Sequence, residues 1–373
     1  PTPNKLHVSI PMEKNRQPDV SIMETKNDNL MVNYKIDDTM SPLHLFFRDY
    51  TGTFFAIALI LSLYVAMIFP DSFIARFFQL HGKVILEGKT LYAKSIHDIQ
   101  TVITFATLLL TLRYFLSNTL FRLLAKTMGI RNSPSQPQIE HKCEEQAWLV
   151  LYYLFSFSAG ITVIRRHIGF TLNNVWLEYP QLYYTWDFKV FYLAQCSFYV
   201  MSVIVLFIEK HRKDMWEMLF HHLITTALIA ISYYTNFTRI GVVVFAIFDA
   251  ADAMLPLAKI LQYAFWKVPG YTVFILFTLT WIFTRHYLLI VVMLNIVTEP
   301  EKFLPIRWDP AHGYFVSVTW SRPLFLTFFV LLECLQIFWL INILRLIYRQ
   351  LFKGEMIGDD RSCRDEASDE EKE

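Results

Sequence analysis

The stretch MLFHHLITTALIAISYY, residues 218–234, has the apolar character of a membrane-spanning helix but carries two adjacent histidines. An ionisable side chain at bilayer depth is costly, so His221 and His222 need a reason to be there. Neighbouring helical side chains point about 100° apart, so we expect one ring to face a cavity and the other to meet an adjacent helix. The pair therefore predicts a functional site inside the membrane.

The composition of the whole chain supports a membrane protein. Of its 373 residues, 54% are hydrophobic and 16% are aromatic, which would leave large apolar patches on a soluble domain. About eight segments have the roughly 20 apolar residues that a span requires: 51–69, 98–118, 147–164, 190–208, 216–234, 240–258, 271–297 and 324–348. Because lipid cannot satisfy backbone polar groups, these segments predict an all-α polytopic helical bundle.

Charge and cysteine spacing exclude other classes of protein. A net charge of +1 gives no electrostatic basis for nucleic-acid binding. The four cysteines show neither metal-binding nor disulfide spacing. Residues 1–40 lack the apolar core of a signal peptide, so we expect none. The Lys and Arg residues near the spans favour cytosolic termini by a slight excess.

Four regions follow from these patterns. They are a polar N-terminal segment (1–50), the first transmembrane helix with its connecting loop (51–97), the main transmembrane bundle (98–350) and an acidic tail expected to be disordered (351–373). In the tail, Ser362 and Ser368 each precede an acidic residue by three positions, a pattern that acidophilic kinases recognise. The alternative is a solvated tail without a specific role. The sequon at Asn236 lies in a short turn near the membrane, so we expect it to be unused.

The segment that follows the histidine helix carries two carboxylates. Asp249 and Asp252 are spaced i, i+3 and share one helical face. The short turn 234–241 predicts antiparallel neighbours, with His222 and Asp252 each ~22 Å from the turn. A carboxylate beside an imidazole fixes its tautomer and raises its basicity, so these groups suit acid–base or nucleophilic chemistry. The alternative is a polar network that only joins two helices.

Metal binding is a rival use of imidazoles and carboxylates. The other histidines are isolated in the sequence, which does not match the several clusters of a membrane di-iron enzyme.

Arg285 either neutralises a carboxylate or phosphate or extends to the membrane interface, and Glu333 is expected in a helix–helix contact. The basic run 210–213 is either a lipid- or phosphate-binding loop or a topology signal.

The block that contains these residues resembles the signature of one family. Residues 213–263, KDMWEMLFHHLITTALIAISYYTNFTRIGVVVFAIFDAADAMLPLAKILQY, combine HH, S-Y-x-x-N-x-T-R-I-G, D-x-x-D and L-x-K elements. They resemble ceramide synthases, the longevity-assurance branch of the TLC-domain membrane proteins. The segments 142–163, 88–94 and 359–362 also resemble this family, so the similarity covers about 85–362. The stretch 191–214 is more similar to fungal members.

The resemblance implies an endoplasmic-reticulum enzyme that joins a fatty acyl-CoA to the amine of a sphingoid base. Its products are CoA and (dihydro)ceramide, and the lipid tails occupy a central tunnel in the bundle. It implies catalytic roles for His221, His222, Asp249 and Asp252. We assign substrate binding to Asn236, Arg239, Arg285 and Trp281. No metal or cofactor is expected besides acyl-CoA as co-substrate.

Two mechanisms fit these residues. In one, a histidine is the general base while the amine attacks the thioester directly. In the other, which we favour, His221 is acylated, His222 assists, and the two aspartates orient the rings. The resemblance also implies that the loop 295–323 sets the length of the acyl chain that is transferred. It further implies that the chain associates with a second copy, a paralogue or a small single-pass subunit.

Two other functions remain open at this point. TLC-domain proteins include non-catalytic lipid-binding and translocon-accessory members, which need not keep the complete HH and D-x-x-D set. A second rival is a membrane acyltransferase that acylates a hydroxyl group.

Overall fold

The computed structural model describes residues 42–69, 71–132, 138–208 and 214–353. The chain divides after Leu45, and the features below, apart from the helical residues 42–45, belong to the unit Phe46–Glu373. The basic run 210–213 and the candidate phosphorylation sites Ser362 and Ser368 lie outside the described residues.

The described residues are predominantly α-helical, as predicted. The helices are α1 (Pro42–Ile68), α2 (Asp98–Leu116), α3 (Arg122–Thr127), α4 (Ile139–His167), α5 (Trp186–Ile208), α6 (Met215–Tyr234), α7 (Thr238–Asp252), α8 (Met254–Tyr263), α9 (Lys267–Trp281), α10 (Leu289–Thr298), α11 (Pro300–Phe303) and α12 (Ser321–Lys353). Two π-helical segments, Ser117–Phe121 and Ile282–Leu288, join α2 to α3 and α9 to α10.

Within the described ranges, seven helical stretches are long and apolar enough to cross a membrane. They are Asp98–Thr127, Ile139–His167, Trp186–Ile208, Met215–Tyr234, Thr238–Tyr263, Lys267–Thr298 and Ser321–Arg349. They coincide with seven of the predicted spans and confirm a polytopic helical fold. The remaining predicted span, 51–69, lies in α1, where Ala56–Ile68 forms a shorter apolar helix.

The helices around the histidine pair pack in a way that leaves room between α6 and α7. Helix α7 packs mainly on α4, and α6 packs mainly on α5 and α12. The two helices joined by the short turn are therefore each supported by a different neighbour. This arrangement positions the cavity described below.

Two small antiparallel sheets were not predicted. Strands β1 (Lys83–Leu86), β2 (Lys89–Ala93) and β3 (Tyr183–Tyr184) form one sheet in that order, and β4 (Trp308–Asp309) pairs with β5 (Tyr314–Phe315). Glu87 and Gly88 connect β1 to β2 with φ angles of 50° and 75°. Positive φ at both central residues is the geometry of a type I′ hairpin turn.

A buried ion pair anchors the larger sheet to the bundle. Lys189 is 0% exposed, and its Nζ lies 2.8 Å from Asp98 Oδ1 while donating to the carbonyls of His81 (2.8 Å) and Ala93 (2.7 Å). The hydroxyl of Tyr233 donates to Asp98 Oδ2 at 2.7 Å. The network therefore joins the sheet to α2, α5 and the C-terminal end of α6.

Candidate active site

The two histidines of α6 contact different neighbouring helices. Their ring centroids are 5.5 Å apart. His222 is buried beside Tyr199 of α5, with 6.1 Å between ring centroids. His221 meets the ring of Trp339 on α12 edge-on at 5.4 Å. The rings diverge as the helical geometry predicted, but both meet an aromatic side chain of a neighbouring helix, and neither histidine lines the cavity described below.

Asp249 belongs to a buried hydrogen-bond network between α4, α5 and α7. Its side chain accepts from Ser156 Oγ at 2.5 Å and from Gln195 Nε2 at 3.0 Å. The hydroxyl of Tyr152 donates to Gln195 Oε1 at 3.0 Å. Ser156 and Gln195 were missed in the sequence, because neutral polar residues within an apolar segment give no signal until their neighbours are known.

Asp252 lies at a break between α7 and α8 and pairs with Arg285. A proline clashes with the carbonyl of the residue four positions earlier, so Pro256 interrupts the helix at Asp252. Arg285 Nη2 lies 2.5 Å from Asp252 Oδ1, which confirms that this arginine neutralises a carboxylate. Its guanidinium also stacks over the rings of Phe248 at 4.0 Å and Trp281 at 4.9 Å.

The π-helical segment allows consecutive residues to contact opposite neighbours. Arg285 reaches Asp252, whereas His286 Nδ1 lies 2.5 Å from Glu333 Oε1 on α12. Single π turns inside α-helices are frequent at functional sites. The predicted helix–helix contact of Glu333 is confirmed. Its partner is His286, which lies apart from the other histidines in the sequence.

The histidines and carboxylates occupy the same region of the bundle. Tyr199, which touches His222, lies within electrostatic reach of both Asp249 and Asp252. The hydrogen bonds described above attach the carboxylates to α4, α5 and the π segment. The expectation that the aspartates orient the imidazole rings directly therefore stays a prediction. In the described part of the chain, no group of three or more His, Cys, Asp or Glu side chains is arranged to hold a metal ion.

Asn236 and Arg239 lie at the opposite end of α6 and α7. Asn236 adopts a φ of 65° and donates to the carbonyl of Gly313 at 2.8 Å. Arg239 donates to the carbonyls of Leu177 (2.8 Å) and Asn174 (3.2 Å) and pairs with Glu178. These contacts fix the surrounding loops, about 20 Å from the histidines along α6. Substrate binding by these two residues stays a prediction.

An apolar cavity separates α6 from α7. Its space amounts to about 760 Å³, counting the open mouth. The lining comes from α5, α6, α7, α10 and α12, with one end at Tyr199, Thr225, Phe248 and Leu332 and the other at Val316, Ser317, Ser321 and Arg322. Since Thr225 is one turn from His222, the first end adjoins the polar residues.

Comparisons with known proteins agree with this architecture. The TLC domain family matches residues 142–345. The chain is 33% identical to sphingosine N-acyltransferase lag1 of Schizosaccharomyces pombe, over 75% of this chain and 70% of that protein. It is 29% identical to ceramide synthase LAG1 of Saccharomyces cerevisiae (76% and 68%) and 30% identical to mouse ceramide synthase 4 (65% and 59%). The chain therefore belongs to the TLC-domain family, in the branch that contains the fungal sphingosine N-acyltransferases.

Proposed function

We propose that the protein transfers a fatty acyl group from acyl-CoA to the amine of a sphingoid base and so forms (dihydro)ceramide. The observation that carries the proposal is a pair of adjacent histidines beside the polar end of an apolar cavity, in a chain of this family. Both lipid substrates need an apolar environment for their tails and a polar environment for their reacting atoms. The cavity and the polar residues beside it supply both.

The lining of the cavity is apolar and extends along α12, which suits an acyl chain. On α12 its lining extends from Ser321 to Leu332, which is roughly 16 Å of helix at 1.5 Å per residue. An acyl chain inserted from the polar end places its thioester carbon beside Tyr199 and the histidines. Burial of the methylene groups holds the carbonyl in that position.

The favoured mechanism has a covalent intermediate. A ring nitrogen of His221 attacks the thioester carbon, the C–S bond breaks, and the ring proton leaves by way of His222 to give free CoA and acyl-histidine. The neutral amine then attacks the acyl carbon, the C–N bond to His221 breaks, and the amine proton returns to the imidazole. The products are CoA, the amide and the original enzyme. Asp249 and Asp252, on α7, add to the polar character of the region through their bonds to Ser156, Gln195 and Arg285.

The resemblance to ceramide synthases supports the remaining parts of the proposal. They are a location in the endoplasmic-reticulum membrane, no cofactor besides acyl-CoA, and association with a second copy, a paralogue or a small single-pass subunit. The slight excess of Lys and Arg supports cytosolic termini. The acidic residue three positions after each of Ser362 and Ser368 supports phosphorylation of both by an acidophilic kinase.

The test uses purified full-length protein in detergent or lipid with a labelled acyl-CoA, with and without sphinganine. We expect ceramide from the wild-type protein and none from His221→Ala or His222→Ala. An acyl mass on the peptide containing His221, formed without sphinganine, supports the covalent route. Ceramide without any acyl-enzyme supports direct attack with histidine as base. Absence of any amide product across acyl lengths contradicts the proposal and favours a non-catalytic lipid-binding role.

A further inference from the structure

The strongest unexplained feature of the bundle is a fully buried glutamine on α12. Gln336 is 0% exposed, and neither its amide oxygen nor its amide nitrogen has a hydrogen-bond partner among the described residues. Burial of an unsatisfied amide costs folding free energy, and buried polar groups in proteins are otherwise nearly always paired. An unpaired amide at this depth therefore indicates a position that a polar ligand satisfies.

Other buried polar atoms without partners lie beside Gln336. Glu333, one turn earlier on α12, uses Oε1 for His286, whereas its Oε2 has no partner in the described ranges. His286 Nε2 and His221 Nδ1 are also buried atoms without a hydrogen-bond partner among the described residues. Trp339, one turn after Gln336, touches the ring of His221. The unpaired atoms thus come from α6, the π segment and one stretch of α12.

On α12 this polar group directly follows the cavity-lining residues in the sequence. Leu332 lines the cavity and is followed directly by Glu333. The acyl tail, the reacting histidine and the unpaired groups therefore follow one another along α12. The acyl chain has no polar group beyond its carbonyl, and the CoA part of the first substrate carries amides and negative phosphates but no cation. The second substrate has an amine, which is cationic when protonated, with hydroxyl groups beside it, so it suits both the Glu333 carboxylate and the Gln336 amide.

We infer that Gln336 and Glu333 bind the head group of the sphingoid base and hold its nitrogen beside His221. The inference rests on the proposed function. The Glu333 carboxylate pairs with the ammonium form of the amine, which releases one proton to water before the neutral amine attacks, and the Gln336 amide donates to and accepts from the hydroxyls. His286 positions the Glu333 carboxylate, because its contact with Glu333 Oε1 leaves Glu333 Oε2 for the ligand.

The first test is Gln336→Leu in the full-length protein. Removal of an unpaired buried amide raises the midpoint of thermal unfolding measured without substrate, whereas loss of a structural hydrogen bond would lower it. We expect the KM for sphinganine to rise about tenfold, as for the loss of one good hydrogen bond. The KM for acyl-CoA and the acyl-enzyme formed without base are expected to stay at wild-type values.

The second test pairs this variant with altered substrates. Sphinganine analogues that lack the 1-hydroxyl or the 3-hydroxyl are compared in the wild-type protein and in Gln336→Leu. With the wild-type protein, we expect the kcat/KM of one analogue to be about tenfold lower than that of sphinganine. With Gln336→Leu, we expect the kcat/KM values of this analogue and of sphinganine to be nearly equal, because the variant has already lost the hydrogen bond to that hydroxyl. Equal losses in both proteins, for both analogues, would overturn the assignment of Gln336.

Glu333→Gln tests the ammonium contact, with Glu144→Gln as its matched control. Glu144 is a buried carboxylate of α4 that pairs with Arg122 and His141, away from the cavity lining. We expect a higher KM for sphinganine in Glu333→Gln and an unchanged KM in Glu144→Gln. Ceramide formation with an unaltered KM for the base in both Glu333→Gln and Gln336→Leu overturns this inference alone. A wild-type protein that acylates no base overturns the proposed function as well.

Discussion

At the residue scale, the polar site depends on charges that compensate one another within the bundle. Arg285 is 3% exposed, and its partner Asp252 has a side chain that is 20% exposed. Removing one member of such a pair leaves an uncompensated charge, which costs more than removing both. The pair is therefore expected to show strong coupling in a double-mutant cycle.

We predict that Arg285→Met lowers the free energy of unfolding by about 3 kcal/mol, since Asp252 is left without its counter-charge. The double variant Arg285→Met, Asp252→Asn is expected to recover a large part of that loss. Thermal unfolding in detergent, followed by tryptophan fluorescence, measures both effects. Losses that simply add in the double variant would show that the pair contributes no coupling energy.

A second residue-scale constraint is the close approach of α5 to α7 at Gly241. A β-carbon at this position would lie 2.6 Å from the Tyr192 hydroxyl, which itself hydrogen-bonds Ser232. Gly241→Ala is expected to cost about 1–3 kcal/mol through overpacking. Adding Tyr192→Phe removes the nearest of the clashing atoms and leaves two ring carbons at 3.0 and 3.2 Å, so the double variant is expected to be somewhat more stable than Gly241→Ala alone. Chemical denaturation of the three variants tests this order.

At the element scale, the C-terminal end of α6 is held by a lysine from the connection before α2. Lys94 Nζ donates to the carbonyls of Tyr233 (3.0 Å) and Tyr234 (2.7 Å). These carbonyls have no partner within the helix, and a lysine at a helix C-terminus satisfies them. Burial lowers the pKa of Lys94 from 10.5 to about 8. The folded protein therefore releases this proton at lower pH than the unfolded chain.

This difference predicts a pH dependence of stability. Between about pH 8 and pH 10.5 the unfolded chain binds more protons at Lys94 than the folded protein, so the stability contribution of this residue rises with pH. Below pH 8 both states are protonated and the contribution is constant. Unfolding of the wild-type protein and Lys94→Met at pH 7.5 and pH 9.5 isolates the effect. We expect the wild-type protein to gain stability relative to the variant at pH 9.5, and an equal change in both would contradict the prediction.

The elements also show how far the sequence could predict the site. Apolar length located the seven long helical stretches, and charge in an apolar segment identified Asp252 and Arg285. Ser156, Gln195 and Gln336 were not identified as site residues, because helices that are apolar on most sides do not reveal which face meets a neighbour. The hairpin at Glu87–Gly88 was missed although strand-forming residues flank a two-residue turn that ends in glycine, a recognisable signal.

At the scale of the whole molecule, the cavity connects the reacting groups to the loop before α12. Its far end is formed by Val316, Ser317, Ser321 and Arg322, and Arg322 pairs with Glu301 at 3.2 Å. Residues of 295–323 thus line the space opposite the histidines. This geometry supports the proposal that the loop sets acyl length, with a physical reason: it determines where the apolar space ends.

The length of this cavity is expected to limit the length of the acyl chain. Ser321→Phe fills the far end, so acyl chains that reach it lose buried methylene groups, each worth ~0.8 kcal/mol or about fourfold in relative affinity. We expect the amide products to shift to shorter acyl groups when the variant is given a mixture of acyl-CoA lengths. Product analysis by mass spectrometry measures the shift, and Ser158→Phe, at an exposed position of α4, is the matched control. An unchanged acyl distribution, with a change in preferred sphingoid-base length instead, would show that the cavity holds the tail of the amine substrate.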